Sequence, residues 1–90
     1  MVMYICIEDK DGEGFHVGDV MTAKGWKEWA MSLNDYGEFD DEFKEFFVNS
    51  PPEETLDHIM NIWGIEIVEY DNNNKEHKAL KENYEANTYA

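Results

Sequence analysis

The sequence predicts an α+β domain, a small antiparallel sheet in ββαααβ order with helices packed on one face. Three observations lead there. Residues 2–8 (VMYICIE) and 65–70 (IEIVEY) are rich in β-branched and aromatic residues and read as strands. Between them, apolar residues recur three and four apart, the spacing of helices with one buried side. Turn and capping residues punctuate each run. Ninety residues make one domain.

Residues 2–8 are apolar on both faces until Glu8, which predicts a central strand. Cys6 within it reads as a small buried hydrophobe, because nothing nearby would activate a thiolate. Residues 9–14 (DKDGEG) are turn chemistry, and residues 15–18 are predicted to return as the second strand of a hairpin. Asp9, Asp11, Glu13 and Gly14 also stand at positions one, three, five and six of an EF-hand loop. The twelfth position is Val20, which cannot supply the closing carboxylate, so no calcium site is expected. His16, His58 and His77 have no partner at metal-ligand spacing, and neither metal nor cofactor is expected.

Thr22 is the predicted N-cap of the first helix, with Met21 and Trp26 placed to staple it. Trp26, Trp29, Ala30 and Leu33 mark its buried side, and the Trp pair reads as core. Residues 34–37 (NDYG) stop it. Asp40 is the predicted cap of a second helix. Phe39, Phe43, Phe46 and Phe47 form its buried stripe, and Glu38, Asp41, Glu42 and Glu45 fall on the opposite side. Ser50, Pro51 and Glu53 read as the N-cap, first turn and capping box of a third helix. Leu56, Ile59, Met60 and Trp63 are its stripe, and Gly64 its stop. Residues 1–70 thus form the domain. Residues 71–90 are polar; Ala79 and Leu80 alone make a poor apolar face, so a frayed or partly helical tail is expected.

Charge is the unusual property. The net charge is −14. Residues 1–70 hold seventeen acids and four lysines, a balance of −13, so the acidity belongs to the folded part and not to a tail. Nine of these acids lie in residues 35–57: Asp35, Glu38, Asp40, Asp41, Glu42, Glu45, Glu53, Glu54 and Asp57, against the single base Lys44. Favourable electrostatics at helix starts accounts for two or three of them. All nine are candidate partner-binding residues. A basic surface for nucleic acid or anionic lipid is absent. No apolar run approaches the ~20 residues of a membrane span, and no positive segment opens a signal peptide. The lone Cys6 permits no internal disulfide, and a cytoplasmic location is expected. No Ser, His, Cys or Gly-rich constellation suggests an enzyme.

In size, charge and α+β character the chain resembles the phage-encoded acidic DNA mimics of the anti-restriction and anti-CRISPR type. The resemblance is one of profile, with no shared motif. It implies an inhibitor that occupies the basic nucleic-acid groove of a restriction enzyme, a CRISPR effector or another DNA-binding protein, in the cytoplasm of the host cell. The alternative is an acidic protein-interaction module whose charge serves only solubility. One contiguous acidic face favours the first, and even dispersion favours the second.

Overall fold

The computed structural model describes the backbone of residues 1–10 and 14–89, and side chains through residue 86. The elements in order are β1 (Tyr4–Asp9), β2 (Val20–Met21), α1 (Ala23–Met31), α2 (Asn34–Gly37), α3 (Asp41–Asn49), α4 (Pro52–Trp63), β3 (Ile65–Glu69) and α5 (Lys75–Tyr89). The sheet is antiparallel in the order β2-β1-β3, so β1 is central and the fold is α+β, as expected. The second strand, however, is Val20–Met21 and not residues 15–18. Gly18 turns the chain at φ +96°, and its N–H donates to the Cys6 carbonyl at 2.8 Å. Phe15 leaves the sheet and packs in the core, 6.1 Å from the Trp26 ring and 5.5 Å from that of Trp63.

Cys6 and its cross-strand neighbour Ile67 point into the main core, with Ala23, Trp26, Ala30, Phe47, Leu56, Ile59 and Trp63. α1 and α4 pack against each other over this face. Thr22 caps α1, its hydroxyl accepting from the Gly25 N–H at 3.1 Å. A Cβ at Gly25 would stand 3.1 Å from the Met21 Cβ, so the missing side chain makes room for Met21. Trp26 is fully buried, and its indole N–H donates to the Tyr4 carbonyl at 3.0 Å. Trp29 does not join it. It is 36% exposed, at the rim, and donates to the Gly14 carbonyl. Gly64 ends α4 in the left-handed conformation. The outer edge of β3 is closed at Ile67, whose N–H donates to the Met60 sulfur at 3.2 Å. With Glu66 and Glu69 exposed, this edge discourages strand addition.

α5 lies over the opposite side of the sheet. Ile5 and Val68, paired across β1 and β3, face that side, and a cleft bounded by Ile7, Val68, Tyr70 and His77 separates sheet from helix. The Asn74 side chain accepts from the N–H groups of Glu76 and His77 and starts the helix. Two ring pairs hold it, Tyr70 with His77 and His16 with Tyr84. Gly18 is its seat: a Cβ there would fall 2.7 Å from the Tyr84 Cβ and collide with the Leu80 carbonyl. The polar segment after Asp71 therefore forms a helix through contacts made across the sheet, not through an apolar stripe of its own.

Candidate partner-binding site

The nine acids are carried by α2, α3, α4 and the bends between them. Asp35 lies in α2 and is half-buried, while Glu38, Asp40, Asp41, Glu42, Glu45, Glu53, Glu54 and Asp57 are all exposed. Asp40 has a structural duty as the N-cap of α3, accepting from the Phe43 N–H at 2.8 Å. Glu38 and Phe39 precede α3, so Glu38 does not share the helix face on which it was expected. Glu38 stands at the end of α2. Phe39 still reaches the core, in ring contact with Tyr36, Phe43 and Trp63.

Phe46 corrects a second expectation. It is 52% exposed, although the spacing placed it in the buried stripe. With α3 beginning at Asp41, its buried arc centres on Phe43 and Phe47, about 40° apart on the helix. Phe46 stands about 100° from Phe47 and falls on the rim. There its ring meets His58 of α4 edge-on at 5.2 Å. This contact joins the outer sides of α3 and α4. On both helices the acids repeat at i, i+1 and i+4: Asp41, Glu42 and Glu45 on α3, and Glu53, Glu54 and Asp57 on α4. Glu42 neighbours Phe46 one turn back, and Glu54 neighbours His58 in the same way. Two acidic strips therefore flank one aromatic seam.

Ser50, expected to cap α4, instead closes α3: its hydroxyl donates to the Phe46 carbonyl at 2.8 Å. α4 starts at Pro52 after an extended Pro51, with no side-chain cap and therefore no capping box for Glu53. The junction is held by a residue the sequence did not single out. The Lys27 ammonium of α1 donates to the Val48 carbonyl at 2.7 Å and the Ser50 carbonyl at 2.9 Å. These are orphan acceptors at a helix end, and a cation suits the negative end of the helix dipole. Lys44 likewise donates to the Gly37 carbonyl. Both lysines are committed to carbonyls. Among the described residues the ion pairs are Lys24 with Glu28 and Lys81 with Glu85, and none of the nine acids takes part. Lys27→Met is expected to lower stability by about 1.5–3 kcal/mol, the range for hydrogen bonds to a charged group. Urea denaturation of the variant measures this directly.

Elsewhere the chemistry is quiet. Burial pushes the Cys6 thiol up to about 11, which leaves it an inert core group. Burial also raises the Asp19 carboxyl, against the opposing influence of the Val20 N–H and His16. Among the described residues no group of three or more His, Cys, Asp or Glu could hold a metal ion. Asp11 and Glu13 of the EF-hand-like turn lie outside the described residues. No helix among the described residues is long and apolar enough to cross a membrane. No family model, curated protein or solved structure matches the chain.

Proposed function

We propose that this protein is an acidic inhibitor that occupies the cationic nucleic-acid-binding groove of another protein, in the manner of the anti-restriction and anti-CRISPR DNA mimics. One observation carries the reading: two helices bear repeated triplets of exposed carboxylates, none of them neutralised by a lysine. A helix rises about 1.5 Å per residue, so each triplet places three charges over about 6 Å. Duplex DNA presents one charge per ~1.7 Å of its axis, or three to four over the same length. The charge density of each strip is thus close to that of the duplex. Helices anchored by Phe43, Phe47, Leu56 and Ile59 hold the carboxylates in place, so little ordering cost remains at binding. Repulsion keeps nucleic acid itself away, and the net charge steers the protein toward a basic groove. The restriction enzymes and CRISPR effectors that have such grooves are cytoplasmic. No catalytic step is part of this function.

The exposed Phe46 favours a second reading, a protein-interaction module anchored by an apolar contact, with the acids serving solubility. Competition separates the two. The immobilised protein would capture its partner from a bacterial lysate, and a DNA duplex would then be titrated against the identified complex. The expected result is mutual exclusion, with duplex and inhibitor competing for one site. A stable ternary complex at saturating duplex contradicts mimicry and leaves the module.

A further inference from the structure

We infer that the outer side of α3 recognises arginine in its partner, with a guanidinium stacking on the Phe46 ring while the flanking carboxylates of Glu42 and Glu45 take its N–H groups. The inference rests on the reading above and names the chemistry of the groove that would be filled.

A surface that only imitated phosphates would gain nothing from a half-exposed phenyl ring. Phe46 is 52% exposed, and its ring is in contact with those of Phe43 at 6.4 Å and His58 at 5.2 Å. Glu42 lies one turn before it on the same side of α3, and Glu45 precedes it directly. Among the described residues the lysines nearest in the chain are used elsewhere, and the neighbour at the side of the ring is the His58 imidazole. Lys44 is turned to the Gly37 carbonyl, Lys27 holds the end of α3, and neither Glu42 nor Glu45 is in an ion pair. The site therefore offers a π-face bordered by negative charge, complementary to a cation that is planar and weakly hydrated. Arginine has both properties: it stacks on aromatic faces and bonds carboxylates through a rigid fork. Lysine is a compact, strongly hydrated charge and gains less from the ring. A nucleobase could also stack on Phe46, but its phosphates would meet a chain of net charge −14. A second copy of this chain would meet the same repulsion.

The test uses oligoarginine and oligolysine peptides of equal length, titrated calorimetrically into the full chain at low salt. Wild type is expected to bind the arginine peptide about three- to fivefold tighter than the lysine peptide, the size of an exposed cation–π contact. Phe46→Leu keeps an apolar side chain and should reduce that preference, weakening the arginine peptide more than the lysine peptide. The double variant Glu42→Gln, Glu45→Gln should weaken both peptides. Circular dichroism checks that each variant keeps its fold. Equal affinities in wild type, or a preference undiminished in Phe46→Leu, would overturn the inference and leave the mimicry reading standing. Failure of both peptides to bind would sink the two together.

Discussion

Trp26→Ala is expected to destabilise the protein by about 3–5 kcal/mol, the range for removing a fully buried large aromatic. Total stabilities of small domains are commonly about 5–15 kcal/mol, so this one change should consume much or all of the margin. Trp26 is completely buried and connects three parts of the molecule. It belongs to α1, its ring lies against Phe15, and its indole N–H donates to the Tyr4 carbonyl of β1. Alanine would leave a cavity between helix and sheet and remove the partner of a strand carbonyl. Trp26→Phe separates these effects, because it retains most of the volume and loses the hydrogen bond, for a smaller cost of about 1–2 kcal/mol. Denaturant midpoints for the two variants give the comparison. An alanine variant that unfolds at the wild-type midpoint would contradict this view of the core.

Gly18→Val is expected to unseat α5 while the rest of the domain still folds cooperatively. The new Cβ would fall on the Leu80 carbonyl and 2.7 Å from the Tyr84 Cβ. The first is helix backbone and cannot swing aside as the end of a long side chain can. Valine at φ +96° adds backbone strain of about 1–3 kcal/mol. Among the described residues the main buried cluster lies between Cys6 and Ile67 in the sequence, with no member from α5. Truncation after Asp71 should therefore resemble Gly18→Val, with helical signal lost and a single unfolding transition kept. Hydrogen exchange reads this residue by residue: the amides of α5 lose protection in Gly18→Val while those of β1 and α4 retain theirs. Full protection of α5 in the variant, or a molten truncated chain, would show that the body and its last helix are arranged otherwise.

Much of this fold was legible because the determinants are local. The Thr22 and Asp40 caps, the stripe of Leu56, Ile59 and Trp63, and the Gly64 stop each depend on residues within one or two turns. The misreadings have non-local causes. Ser50 sits between two helix ends, and its own neighbours do not reveal that α3 claims it. The commitment of Lys27 to the carbonyls of Val48 and Ser50 spans more than twenty residues. Phe46 fits the spacing of a buried stripe, and only the start of α3 at Asp41 moves it to the rim. α5 reads as a weak helix in isolation. Its docking needs a missing side chain at Gly18, far back in the sequence, which hydrophobic periodicity does not register. For the candidate site, the nine acids followed from composition and the exposure of Asp41, Glu42 and Glu45 from helical phase, whereas Glu38 is exposed without sharing the α3 face and Asp35 is half-buried. The release of those acids from their lysines did not, because it depends on where Lys27 and Lys44 point.

That release is what the proposed function requires, and the salt dependence of binding measures it. In the captured complex, wild type would be compared across a salt series with a variant carrying Asp41→Asn, Glu42→Gln, Glu45→Gln, Glu53→Gln, Glu54→Gln and Asp57→Asn. Stability should change little. Relief of like-charge pairs one turn apart gains a few tenths of a kcal/mol each, and the loss of acids from two helix starts gives back a similar amount. Binding should change greatly if the two strips stand in for phosphates. Expected is a loss of at least about tenfold at low salt, with the difference shrinking as salt screens the wild-type charges. Wild-type affinity and an unchanged salt slope in the sixfold variant would contradict the claim that these carboxylates bind the groove.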